Sequence, residues 1–223
     1  MKKLVLVIAF VMFVFGVNAY AVTVNDFSDF NSAWQNDVTQ SINLTGNINF
    51  TEELFVNQIF FQMYSSVMSI TGNNAVFTGG GFNGLRLTNS YVDIIVNDGI
   101  FFKNFYSGDW RGGGAIYAAL SAMSFTVTDN GNIIFTENSA AGGGGAISAG
   151  MTGGAIIDFS ASDGNIIFSL NNAGSQGGAI QSYNSTMSFT ANGDIIFSLN
   201  NANAYGGAVF ASGSKMDFQA LGG

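Results

Sequence analysis

Carboxylates are the first candidates for chemistry in this chain, because two or three acids converging on one face can serve a glycosidase as general acid and base. A lyase would instead need a basic proton acceptor, often beside acid-held Ca²⁺. Asp158 and Asp217 occupy matching places in two similar segments, Ile157-Asp158-Phe159 and Met216-Asp217-Phe218, but Ser124 and Ser188 fill that place in the other two. Adjacent units therefore do not build an acid pair. Asp163 and Asp194 fall at turns in different registers, and Glu52-Glu53 point to opposite faces of an extended chain. The sequence contains no His and no Cys. Nucleophile–His triads, thiol catalysis, disulfides and His- or Cys-ligated zinc are thereby excluded. Gly79-Gly80-Gly81-Phe82-Asn83-Gly84 has the form GxGxxG, which cradles a pyrophosphate only when a helix follows. Leu85-Arg86-Leu87-Thr88 follows, and it alternates like a strand. The glycine-rich run is thus expected to be a corner, as is the Gly142–Gly145 run. The Ca²⁺-binding nonapeptide of calcium rolls is missing as well, so no metal, cofactor or catalytic site is expected.

What positions these residues is a tandem repeat. Four segments read Phe-x-x-Asn, a spacer, then Gly-Gly-Ala-Ile or Val: Phe101 to Asn104 with Gly113-Gly114, Phe135 to Asn138 with Gly144-Gly145, Phe168 to Asn171 with Gly177-Gly178, and Phe197 to Asn200 with Gly206-Gly207. In the last three, Asn and the first Gly are six residues apart. Each unit also carries an alternating stretch, Met123-Ser124-Phe125 and its equivalents, and a Gly-Asn-Ile-Ile-Phe type strand. Three short strands leave no room for a helix. A unit of about 30 residues cannot bury its own apolar face, so equivalent strands must stack on those of neighbouring units. The expected fold is all-β, a right-handed parallel β-helix with three sheets, with Ile133, Ile166, Ile195, Phe135, Phe168 and Phe197 forming interior ladders. Stacked Asn104, Asn138, Asn171 and Asn200 are expected to bond along the axis.

The chain has 223 residues, 48% hydrophobic and 9% charged, with 30 Gly and no Pro. A domain in water usually carries about a quarter charged residues, so Asn, Ser and Thr must supply the polar surface. Proline has no N–H to give to coils above and below, and glycine supplies corner conformations that other residues resist. Composition and repeat therefore require the same architecture.

Met1-Lys2-Lys3 and the apolar run Leu4–Val17 have the form of a secretory signal over residues 1–21, with cleavage after Ala19 or Ala21. The run is too short to span a bilayer, which takes roughly 20 residues. Removing the signal leaves four basic residues (Arg86, Lys103, Arg111, Lys215) against 14 acidic ones. A chain so acidic has no stripe of cations for phosphates, which disfavours nucleic acid and an anionic membrane surface as partners; no nucleic acid is expected. Residues 22–98 are expected to hold irregular first coils. Ahead of them, Val24, Phe27, Phe30, Trp34 and Val38 fall at helical spacing, a short capping helix with Asn25 as N-cap. Residues 99–223 are expected to be the repeat region.

The paired Phe-x-x-Asn and Gly-Gly-Ala-Ile motifs resemble the repeats of the chlamydial polymorphic outer-membrane proteins and related bacterial surface proteins. That resemblance, over residues 99–223, implies a β-helical autotransporter passenger at the cell surface or outer membrane, with adhesion as its role. Attachment to the membrane would then run through a C-terminal barrel that these residues do not include. A protein or glycan on another surface would be the partner. An apolar row reading Ile100, Ile134, Ile167 and Ile196 is expected to face outward between the inward Ile and Phe, and is the candidate contact stripe. The competing reading is a fragment of a carbohydrate-active β-helix enzyme, which would show Asp, Glu and Arg clustered on one outward face.

Overall fold

The computed structural model describes residues 75–222 continuously and, upstream, residues 26 and 28 and the backbone of the strands β1 (Tyr20–Val24), β2 (Thr39–Leu44), β3 (Ile48–Asn49), β4 (Leu54–Asn57) and β5 (Val67–Gly72). The signal segment up to residue 19, most of the capping-helix residues and Glu52-Glu53 lie outside the described residues. Two further strands, β6 (Ala75–Thr78) and β7 (Leu85–Thr88), lead into four complete coils. The first holds β8 (Tyr91–Val96), β9 (Gly99–Lys103), β10 (Tyr106–Ser107) and β11 (Ile116–Ala119). The second holds β12 (Ala122–Val127), β13 (Asn132–Thr136), β14 (Ser139–Ala140) and β15 (Ile147–Ala149). The third has β16 (Ile156–Ala161), β17 (Ile166–Ser169), β18 (Asn172–Ala173) and β19 (Ile180–Tyr183). The fourth has β20 (Thr186–Ala191), β21 (Ile195–Ser198), β22 (Asn201–Ala202) and β23 (Val209–Ser212), and β24 (Lys215–Ala220) opens a fifth.

Among the described residues every strand pairing is parallel, and each strand pairs with its equivalents in neighbouring coils. The protein is an all-β parallel solenoid. Its walls are sheet A (β1-β2-β5-β8-β12-β16-β20-β24), sheet B (β3-β6-β9-β13-β17-β21), sheet C (β4-β7-β11-β15-β19-β23) and the narrow sheet D (β10-β14-β18-β22). Among the described residues the expected three sheets are therefore four. Sheet D was missed because its strands are two residues long, Ser139-Ala140 and equivalents, too short to show an alternation.

The interior is a set of ladders. Sheet B contributes Phe77, Phe102, Phe135, Phe168 and Phe197, whose successive rings stack at 4.9–5.0 Å and within 7° of parallel. Sheet A contributes Phe125, Phe159, Phe189 and Phe218, stacked at 4.7–5.0 Å. The two columns meet edge to face, as in Phe135 against Phe159 at 5.9 Å and 88°. Parallel register dictates the stacking within a column, and the corner between sheets A and B dictates the edge contact between columns. Such pairs add about 0.5–1.5 kcal/mol each beyond burial. Ile100, Ile133 and Ile166 fill the adjacent column, all fully buried.

Candidate functional site

The repeat motif residues divide into three mechanical roles. The Phe is the interior ring just described. The Asn of the motif is an axial clamp: Asn138 and Asn171 are completely buried. The Asn171 Oδ1 accepts from the Asn138 backbone N–H at 3.1 Å and from Asn138 Nδ2 at 3.0 Å, while Asn171 Nδ2 donates to the Phe135 carbonyl and to Asn200 Oδ1, both at 3.0 Å. Asn200 Oδ1 accepts in turn from the Asn171 N–H at 3.0 Å, and Asn200 Nδ2 donates to the Phe168 carbonyl. Amides of this kind satisfy the backbone groups that the turn between sheets B and D strips from the ladders.

The first repeat departs from the expected register. Ile134 pairs with Phe101 and Phe135 with Phe102, so Phe102 and not Phe101 is the interior ring. One residue along, Asn104 takes the left-handed position (φ 56°) held in later coils by Glu137, Leu170 and Leu199 (φ 54–58°). Phe105 stands in the clamp position, and its N–H donates to Asn138 Oδ1. Phe101 and Asn104 therefore mimic the motif while lying one residue out of phase. Two successive phenylalanines in Gly-Ile-Phe-Phe-Lys allow the slip, and only the pairing settles the register.

Each glycine of the pair has its own reason. The first, at 113, 144, 177 and 206, sits at φ 63–72°, a region that costs other residues roughly 1–2 kcal/mol. The second, at 114, 145 and 178, lies on the backbone of the next coil: the Gly145 N–H donates to the Gly178 carbonyl, and a Cβ on Gly145 would stand 2.6 Å from the Asn172 carbonyl oxygen. Gly79–Gly84 is likewise a corner, leading into β7 rather than a helix.

Outward columns carry the surface chemistry. On sheet B, Val76, Phe101, Ile134, Ile167 and Ile196 are in register and half-buried. Ile100 is not among them. It pairs with Ile133 and is fully buried, and Phe101 takes its place in the row, the same one-residue shift seen in the motif. On sheet A the column reads Ser69, Asp93, Ser124, Asp158, Ser188, Asp217. From Ser69 to Asp217 Ser and Asp alternate, with Ser41 stacked before Ser69, so no two carboxylates of this column stand on adjacent coils, and the Ser124 hydroxyl donates to Asp93. Like charges directly opposite are destabilising, and the alternation avoids them. Among the described residues no group of three or more His, Cys, Asp or Glu is placed to hold a metal ion.

A polar cluster that sequence reasoning missed lies on the outer side of sheet C. Arg86, Tyr117, Ser148 and Gln181 stack in register there, all buried, beneath the loops that precede the glycine pairs. In the first coil eight residues separate Phe105 from Gly113, against six between Asn138 and Gly144; the two extra residues make room for Asp109-Trp110-Arg111. Asp109 binds the Arg86 guanidinium at 3.1 Å and Arg111 Nε at 2.8 Å. Both guanidinium groups lie over the Tyr117 ring, at 4.7 and 5.6 Å, and the Ser148 hydroxyl donates to the Arg111 carbonyl at 2.7 Å. The longer Asn104-to-Gly113 spacing was the available signal.

Hydrogen bonding from Arg111 holds the Asp109 carboxyl below the usual carboxylate range against opposing burial, with Arg86 adding to the effect. A depressed folded-state pKa adds stability above the ordinary carboxylate pKa, and that stability is lost as pH falls through the depressed value. Asp109→Asn is expected to cost about 2 kcal/mol at neutral pH, the scale of a charge-assisted bond to a buried partner. Urea unfolding from pH 7 downward checks this: the gap between wild type and variant should close in acid, and a constant gap would refute the ionic role.

Comparison with known proteins follows the coil boundaries. The repeat of the Chlamydia polymorphic membrane protein (Chlamydia_PMP) family matches residues 132–150 and 165–183. Those spans run from β13 to the end of β15 and from just before β17 through β19, each holding one interior Phe, one clamp Asn and one glycine pair. Repeats of this family are therefore present in the second and third coils. No curated protein and no solved structure matches the chain.

Proposed function

We propose that this chain is the exported, surface-displayed passenger of an outer-membrane protein, a non-catalytic β-helical scaffold whose sheet B face adheres to a protein or glycan on another surface. The observation that carries the reading is the outward column Phe101, Ile134, Ile167 and Ile196, a continuous half-buried apolar row on stacked coils. Contiguous apolar surface of this kind marks interaction sites. Support comes from the polymorphic membrane protein repeats at residues 132–150 and 165–183, from the signal-like N-terminus and from an acidic chain unsuited to nucleic acid. The winding is taken as right-handed, the hand of almost all parallel crossovers.

The test replaces Ile134, Ile167 and Ile196 together by Asn. Outward strand positions contribute little to the core, so the variant should keep its far-UV dichroism and unfold within about 1 kcal/mol per site of wild type. Binding to host cells or to a glycan array should fall by about tenfold or more, the loss of roughly 1.4 kcal/mol of contact. Binding at the wild-type level would remove sheet B as the adhesive face.

A further inference from the structure

Three Asn-Gly pairs occur in the chain, at Asn83-Gly84, Asn130-Gly131 and Asn192-Gly193, and the fold treats them differently. The glycine N–H of the first donates to the Gly114 carbonyl at 2.9 Å, and that of the third to the Gly164 carbonyl at 3.0 Å. Among the described residues the Gly131 N–H makes no such bond. Corner length explains the difference. Counted from the last paired residue of sheet A (Val96, Val127, Ala161, Ala191) to the stacked isoleucine of sheet B (Ile100, Ile133, Ile166, Ile195), the corner of the first coil has three residues (97–99), the second five (128–132), the third four (162–165) and the fourth three (192–194). The second coil thus has the longest corner, in which Thr128, Asp129 and Asn130 are exposed while Gly131 is buried against the Asp98 backbone. Asn83, by contrast, is half-buried, with its Oδ1 enclosed.

We propose that Asn130 is a spontaneous modification site, deamidating in the folded protein ahead of the other two Asn-Gly pairs. The Gly131 nitrogen attacks the Asn130 side-chain carbonyl carbon, a new C–N bond forms, and the Cγ–Nδ2 bond breaks. The displaced nitrogen leaves as ammonia, carrying the proton from Gly131. Water then opens the five-membered imide at either carbonyl, giving aspartate or isoaspartate. One ammonia is released and one water consumed; no oxidant or cofactor is needed. At Gly84 and Gly193 the attacking nitrogen must first give up a backbone hydrogen bond, and at Gly131 it need not.

The product changes the corner in two ways. It adds a carboxylate beside Asp129, on the ridge that also carries Asp98 and Asp163. In the isoaspartyl form it also lengthens the backbone next to Gly131, where a Cβ would already collide with the Asp98 carbonyl group. Ageing would therefore make this corner more acidic and loosen its contact with the coil before it.

The experiment incubates the full chain at mildly alkaline pH in heavy-oxygen water and follows each Asn-Gly peptide by mass spectrometry. Asn130 should take up label about fivefold or more faster than Asn192, the factor expected for one retained hydrogen bond, and faster again than Asn83. In urea the three rates should converge within about twofold, because all three share the Asn-Gly sequence. Asn130→Gln should abolish the fast phase without shifting the unfolding midpoint. The proposal is overturned if Asn192 reacts as fast as Asn130 in the folded chain, or if the ordering persists unchanged in urea.

Discussion

Asn171→Ala should cost about 3–5 kcal/mol, because the amide has no replacement for either of its ends. The substitution leaves the buried Asn138 N–H without the oxygen that accepts it at 3.1 Å and the Phe135 carbonyl without the Nδ2 that donates at 3.0 Å. It also breaks the amide-to-amide links on both sides and leaves a void in a fully buried place. Water cannot readily substitute, since Asn138 and Asn171 are both completely enclosed. Asn171→Asp should be at least as damaging at neutral pH. The carboxylate keeps an acceptor for Asn138, but it faces the Phe135 carbonyl and Asn200 Oδ1 where a donor is required. Asn104 is the internal control. It lies in the left-handed position of the same turn and is exposed, so Asn104→Ala should cost only the conformational strain, about 1 kcal/mol, and Asn104→Gly should be neutral. Urea midpoints for the four variants decide the matter; equal losses at 104 and 171 would show that the axial clamp is not what the Asn supplies.

This contrast also marks what could be read from the sequence. The coil, its period, its parallel stacking and the interior Ile and Phe were legible because each is repeated, and stacking makes repetition visible. The first repeat was misread because its residues satisfy the motif only in the wrong phase: Phe101 has Asn104 three residues on, whereas the interior Phe102 has Phe105 there. A one-residue slip reverses every side chain of a strand, which is why Ile100 moved from the outward row to the core and Phe101 the other way. Sheet D was hidden by its two-residue strands. The Arg86, Asp109, Arg111 and Tyr117 cluster was hidden for a different reason. Its members come from three segments, and only the loop folding back over sheet C brings them together.

The glycine pair allows the sharpest test, since the same substitution meets different surroundings along the solenoid. Gly145→Ala places a methyl carbon 2.6 Å from the Asn172 carbonyl oxygen and 2.7 Å from the Asn172 nitrogen, and closer still to the Gly178 carbonyl. All three are backbone atoms, and the Gly178 carbonyl is also the acceptor for the Gly145 N–H, so the neighbour cannot retreat without losing a bond. The coils would have to part locally, at a cost of about 3 kcal/mol or more. Gly207 occupies the same place in the fourth coil, yet a Cβ there would meet only the Asn200 carbonyl oxygen at 3.7 Å, an ordinary contact. Gly207→Ala should therefore be nearly neutral, or slightly stabilising through loss of unfolded-chain freedom. Because each coil contacts only its neighbours, the damage at Gly145 should also be local. Hydrogen exchange should rise first in β14, β15, β18 and β19 and leave β8 and β9 protected. If Gly145→Ala and Gly207→Ala unfold at the same urea concentration, close coil-to-coil approach is not the reason for the second glycine.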